Sequence, residues 1–275
     1  MRNTRGVVIG GVGIVFTGIF FVVPFLFILL LASQDRVQSN ELRFAWPRNF
    51  QLLQNIAQAF SSRDYLMVIA FINSVILTVV SVAAMVFLGA MVAYVWQRRP
   101  GRTTGAVGLL VLAGLIVPPA IVPTIWVLQK VGLFKTMPGL ILIEIAYGLP
   151  FCILLFRAFI ASVPRELDEA ATVDGANPLQ VFFRVIFPVL RSVMITVIIL
   201  QSVFVYNDFQ NPLYFLPGTQ NATIQVTLLN FQSQFTTQYN LLFATILLVM
   251  IPPFVMFIFF NRKIVAGMAA GSVKG

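Results

Sequence analysis

The chain has no histidine, a single cysteine and only nine carboxylates among 275 residues. Without histidine, neither an imidazole base nor a histidine-ligated metal site can be built from this chain. With Cys152 alone and set in an apolar run, no intrachain disulfide can form, and cysteine usage does not indicate a redox compartment. Charged residues make up 10 % of the chain, far below the roughly 25 % of soluble domains. No polar stretch is longer than residues 32–66, so a separate soluble domain is excluded. No Gly-Lys pair is followed by Ser or Thr, so the usual loop that cradles nucleotide phosphates is missing. The Gly10-Gly11-x-Gly13 cluster lies inside an apolar run and reads as a packing feature, not a dinucleotide fingerprint.

What is present is hydrophobic. Apolar residues are 59 % of the chain and the mean hydropathy is +0.93, the composition of a polytopic membrane protein. A helix needs about 20 apolar residues to cross ~30 Å of hydrocarbon. Six stretches meet that need: residues 7–31, Tyr65–Gln97, Thr103–Gln129, Thr136–Phe156, Ser192–Leu213 and Tyr239–Phe260. The fold expected is an all-α integral membrane protein with six transmembrane helices. The first run is too long for a signal peptide and lacks a small-x-small cleavage site, so it is taken as an uncleaved span. Gly6 and Gly10 form a weak small-xxx-small pair at its start. Residues 32–66 form one outer loop, with a short interfacial helix expected within Phe44–Phe60. Ser74, Thr78 and Ser81 share a face of the second span as a packing seam. Pro118, Pro119 and Pro123 break the third span, which requires protein or a water-lined cavity to satisfy the freed backbone groups. Lys130 and Lys135 flank an outer turn. A second outer loop, 214–238, is rich in amides and hydroxyls: Gln220, Asn221, Thr223, Gln225, Gln232, Ser233, Gln234, Thr237 and Gln238.

The formal charge is +9. In a soluble protein this would indicate nucleic acid; here it reads as Lys and Arg retained on the inner side. With the N-terminus inside, the inner segments hold Arg2, Arg5, Arg98, Arg99, Arg102, Arg157, Arg165, Arg184, Arg191, Arg262, Lys263 and Lys274, twelve of the eighteen basic residues. That bias puts both termini, and residues 162–191, in the cytoplasm.

Residues 162–191 are the polar centre of the chain. They hold Glu166, Asp168, Glu169 and Asp174. Pro164 suits the first position of a helix, and the acids after it oppose the positive end of the helix dipole. Leu167, Ala170, Ala171 and Asp174 share a nearly flat face. Gly175 is a helix stop, and Asn177-Pro178 with Gln180 starts a second helix. Two short helices meeting at a glycine are either a solvated connector or a device shaped for a groove on another protein.

Glu169-Ala170-Ala171, then Gly175, then Val185-Ile186-Phe187-Pro188 resembles the EAA loop of ATP-binding-cassette importer permeases. Valine replaces the usual isoleucine, and Phe187 the usual leucine. Asp174 before the glycine resembles the carbohydrate, maltose-type branch. Asn73-Ser74, Ala93-Tyr94, Arg98-Arg99 and Gly101-Arg102 also resemble the second conserved span of sugar-importer permeases. The resemblance covers roughly residues 70–275. It implies one permease domain over 1–275 with type I importer architecture and no catalytic residues of its own. It implies a homologous second permease, two ATP-binding subunits that hold ATP and Mg, and an extracytoplasmic substrate-binding protein, in a bacterial or archaeal membrane. Coupling residues by resemblance are Glu166, Glu169, Ala170, Ala171, Asp174, Gly175, Ala176 and Pro188, with simple helix capping as the plainer alternative. The tail, 262–275, resembles that of maltose-type permeases ending Val-Lys-Gly, which implies ATPase contact by Gly271, Val273, Lys274 and Gly275, against a frayed end.

Intramembrane acids are costly and usually functional. Asn207-Asp208-Phe209, after Tyr206, resembles the Trp-Asn-x-Phe signature of carbohydrate permeases. Tyr147, Asn207, Asp208 and Phe209 are candidate pathway residues, with subunit packing as the alternative for Asp208. Glu144 reads as a buried, hydrogen-bonded or protonated group. The outer loop 214–238 is either a solvated connector or a hydrogen-bonding surface for the binding protein. Asn221-Ala-Thr223 is a glycosylation sequon by pattern only. Substrate is expected to be a carbohydrate or a related polyol. An ion-coupled secondary transporter is the other reading, but it needs an internal inverted repeat, and none is evident. A membrane enzyme would need paired polar catalysts inside the spans, which Glu144 and Asp208 do not supply.

Overall fold

The computed structural model describes residues 4–218, 221–231 and 238–272. Among them there are helices and no strands. Four helical stretches are long and apolar enough to cross a membrane: Gly10–Ser33, Tyr65–Arg98, Met137–Ile160 and Tyr239–Phe260. Six result if each of two sharply bent helix pairs counts as one span. The chain divides into two compact units, one of residues 1–70 with 226–252 and one of 71–225 with 253–275.

The first unit contains α1 (Thr4–Ser33), the short α2 (Arg36–Ser39) and the start of α3 (Leu52–Arg98). The interfacial helix expected within Phe44–Phe60 is not a separate element. Helix begins at Leu52 and runs into the span, with Tyr65 at φ 58 where the apolar part starts. Residues 32–51 are held by a buried polar knot. Asn55 donates to the Ala32 and Gln34 carbonyls at 2.8 and 2.9 Å. Asn240 donates to the Asn55 side chain at 2.8 Å, and its amide to Ser39 Oγ at 3.1 Å. Gln34 and Gln38 donate to the Ala45 and Trp46 carbonyls. Buried amides must be paired in this way, because an unmet one costs about 1–3 kcal/mol.

The second unit is built on the rest of α3, α4 (Arg102–Ile116), α5 (Ile121–Lys130), α6 (Met137–Ile160) and α10 (Arg191–Asn207), with shorter helices between. Its core includes Met85, Phe156, Ile160, Ile186 and Leu190, all fully buried. Small residues bring the backbones together. A Cβ on Gly89 would stand 3.1 Å from Cys152, one on Gly108 would strike the Trp96 indole at 2.4 Å, and one on Gly148 would strike Met85. The third expected span is not straight: α4 and α5 meet at 119° across Val117–Ala120, where Pro118 and Pro119 end the first helix. Pro123 falls in the first turn of α5, where its missing N–H costs nothing. The Thr136 side chain caps α6 by accepting from the Gly139 amide at 3.1 Å. The fifth expected span, Ser192–Leu213, stops early. α10 ends at Asn207, Asp208 is extended, and α11 (Gln210–Phe215) follows. The short α12 (Ile224–Thr227) precedes the last helix, α13 (Tyr239–Ser272), which carries Pro252-Pro253 within it.

Candidate functional site: the exposed loop and the opposite polar end

Residues 162–191 fold as two short helices about a glycine. α7 (Glu166–Val173) has three acids in its first turn, and none of its residues is buried. Pro164 does not open the helix; it lies before the Arg165 cap. Gly175 has φ +85, the left-handed region that glycine tolerates. Asn177 and Gln180 then close a capping box at 2.9 Å in each direction, with Pro178 at the first helical position of α8 (Pro178–Gln180). A π-helical turn, Val181–Ile186, and α9 (Phe187–Val189) lead to a 73° bend into α10.

The expected coupling residues divide between two sides. Glu166, Glu169, Ala170, Asp174, Gly175 and Pro188 are exposed. Ala171 and Ala176 instead pack partly against the core. The outward surface also carries apolar side chains: Leu167, Leu179 and Val173, the last 87 % exposed.

The loop is fastened to α3 on its inner side. Arg98 pairs with Asp168 at 2.9 Å. It also donates to the Val163 and Pro164 carbonyls at 3.0 and 3.4 Å. The Tyr94 hydroxyl, one helical turn earlier, donates to the other Asp168 oxygen at 2.6 Å. The two charged side chains are only 11 % and 17 % exposed, so salt screens them far less than a surface pair. Tyr94 and Phe87 also meet Phe182 and Phe183 of the π-turn, with ring centroids 5.4 and 5.8 Å apart. Close by, the Arg157 guanidinium lies 3.7 Å over the Trp96 ring and donates to Gln97 at 3.1 Å. From sequence, Tyr94 enters only through a resemblance, and Arg98 through that resemblance and as an inner-side charge. Their spacing of four, which puts both on one face of a helix, was the signal available.

At the other end of the same unit the polar groups form a second set. Glu144, 1 % exposed, accepts from the Asn211 side chain at 3.2 Å. Asp208 accepts the Gln210 and Asn211 amides at 2.8 and 3.3 Å and so caps α11. Asn207 accepts from Gln225 at 3.1 Å. Tyr147 is partly buried in α6, and Phe209 is exposed at the helix break. The outer loop is less solvated than expected: Ala222, Thr223 and Ile224 are buried. Asn73 donates to the Ala222 carbonyl, and the Ile224 amide donates to Ser74. Ser74 thus binds the loop, whereas Thr78 and Ser81 are buried in the helix face. Gln220, Gln232, Ser233, Gln234 and Thr237 lie outside the described residues, as do Val273, Lys274 and Gly275 of the tail; Gly271 falls within α13.

Apolar helices with two broken spans, an exposed acidic loop at one end and a polar cluster at the other define a multi-pass membrane protein of the transport class. The chain belongs to the family of binding-protein-dependent transport system inner membrane components, whose profile matches residues 85–269. It is therefore a permease subunit of an ABC importer in the bacterial cell membrane and not an enzyme. It is 30 % identical to the melibiose/raffinose/stachyose import permease protein of Bacillus subtilis, over 92 % of this chain and 91 % of that one. It is 36 % identical to the trehalose transport system permease protein of Mycobacterium tuberculosis, over 75 % and 77 %. Its fold matches a chain of a bacterial ABC transporter that imports the acidic polysaccharide alginate, with TM-score 0.81 and 21 % identity over 95 % and 98 % of the two chains.

Proposed function

We propose that this chain is one of two homologous permeases of a carbohydrate importer, a single permease domain crossing the membrane six times with both termini in the cytoplasm. Two ATP-binding subunits hold ATP and Mg and receive residues 162–191, with the tail lying along them. An extracytoplasmic binding protein delivers the sugar. The observation that carries the docking is the loop itself. An eight-residue helix with no buried residue is too short to be stable alone, yet it holds exposed Leu167 and Val173 outward. Such a surface is explained by a partner that covers it.

Carbohydrate is the substrate class that the relatives support: melibiose, raffinose and stachyose for one, trehalose for another, diacetylchitobiose for a third. Tyr147, Asn207, Asp208 and Phe209 stand at the polar end, where a hydroxyl-rich solute enters. Transport proceeds by alternating access: closure of the ATP-binding subunits moves the loop, and the spans reorient. The test is uptake of radiolabelled raffinose and trehalose into proteoliposomes holding the complete complex. Uptake is expected to require the binding protein and ATP, and to stop with vanadate. Uptake driven by an ion gradient without the ATP-binding subunits would establish the secondary-transporter reading instead.

A further inference from the structure

The geometry points to Tyr94, Arg98 and Asp168 as the clamp through which movement of the coupling loop enters the bundle, with Asp168 and Arg98 as positioning residues. This rests on the proposed docking of residues 162–191. If a partner grips the outward side of α7, the inward side must carry the displacement. That side offers little to grip: Ala171 packs against the core with a single methyl, and no residue of α7 is buried. Asp168 is the exception. Its two oxygens are held by two side chains of one helix, at 2.6 Å from Tyr94 and 2.9 Å from Arg98. Apolar surfaces can slide past one another, since burial is non-directional. A carboxylate fixed by a hydrogen bond at one oxygen and an ion pair at the other resists displacement along and across the helix. The same guanidinium grips the Val163 and Pro164 carbonyls, so α7 and the chain entering it move with α3. The ring contacts of Phe182 with Tyr94 and of Phe183 with Phe87 give the far arm of the loop an apolar contact with the same helix, one that can slide and so cannot substitute for the clamp.

The test uses the complete complex in proteoliposomes, with the chain carrying Asp168→Asn, Arg98→Gln or Arg98→Lys. Raffinose uptake, or trehalose uptake where the binding protein prefers it, is measured against ATP hydrolysed, and the ATP-binding subunits that co-purify are weighed. Asp168→Asn keeps an oxygen for Tyr94 but loses the ion pair; Arg98→Lys keeps the charge. The expected result is full co-purification in all three. ATP hydrolysed per sugar should rise tenfold or more for Asp168→Asn and Arg98→Gln, and stay within threefold of the parent for Arg98→Lys. An unchanged ratio overturns the clamp. So does a proportional fall in uptake and hydrolysis, which is what a merely structural role produces. Loss of the ATP-binding subunits from Asp168→Asn alone also overturns it, by making Asp168 part of the docking surface. If the parent chain holds no ATP-binding subunits, the docking reading fails and the clamp with it.

Discussion

Gly175 separates what the loop needs from its own backbone from what it needs from a partner. Its φ is +85, and a Cβ placed on it meets nothing within 4 Å. Substitution in the isolated chain therefore carries backbone strain and no clash. A left-handed L-residue costs about 1–2 kcal/mol, with asparagine at the low end because it tolerates this region best. Gly175→Ala and Gly175→Trp should therefore destabilise the isolated permease to a similar degree, since open space is indifferent to side-chain size. Association with the ATP-binding subunits should behave differently. If strain alone acted, both variants would weaken it by roughly five- to thirtyfold, 1.4 kcal/mol being tenfold. A cleft closing over the turn adds a clash only for the large side chain. The expected order is Gly175→Asn about fivefold weaker than the parent, Gly175→Ala within about thirtyfold on the strain cost, and Gly175→Trp with no measurable binding. Thermal inactivation in detergent measures the first quantity, and titration of immobilised permease with ATP-binding subunits the second. Equal binding by Gly175→Ala and Gly175→Trp would refute a partner surface at this turn.

Three further outcomes are expected. Gly108→Ala forces a Cβ into the Trp96 indole, which Arg157 covers from 3.7 Å; overpacking of this kind costs about 1–3 kcal/mol and should lower the inactivation temperature, whereas Gly105→Ala, with nothing within 4 Å, should not. Asn55→Ala removes three buried hydrogen bonds and should cost about 2–4 kcal/mol, read as faster hydrogen exchange confined to residues 32–51 and the start of α13. Asp208→Asn keeps an oxygen for the Gln210 and Asn211 amides and should keep uptake within about threefold of the parent, while Asp208→Ala loses a cap worth about 1 kcal/mol and most of the uptake; equal losses would show that the charge, not the cap, is needed.

How far the sequence spoke depended on the range of the interaction. The glycine turn, the Asn177 capping box and the Thr136 start of α6 depend on neighbours three or four residues apart, so pattern alone placed the first two. The prolines announced a break in the third span, but nothing in their spacing gave its 119° angle. The early end of α10 was hidden because Asn207-Asp208-Phe209 has ordinary composition. Only the amides that Asp208 accepts reveal that a second helix starts there. Ser74 read as part of a helix seam because its true partner, the Ile224 amide, is 150 residues away. The Arg98–Asp168 pair was missed for the same reason: each residue had a sufficient local role, as an inner-side charge and as a helix-dipole acid.

One helix joins the two ends of the second unit. Near one end of its apolar stretch, Asn73 and Ser74 hold residues 222–224, and Gln225 next to them bonds Asn207. Near the other, Tyr94 and Arg98 hold Asp168. No proline lies between Ser74 and Arg98, so a helix rising 1.5 Å per residue carries a rigid link of about 30–36 Å. The neighbouring spans are bent at Val117–Ala120 and before Arg191. A bent span absorbs force at its bend, whereas a continuous ladder of backbone hydrogen bonds passes it on. α4–α5 and the helices that lead into α10 are bent, whereas α3 ties the acidic loop at one end to the polar cluster at the other.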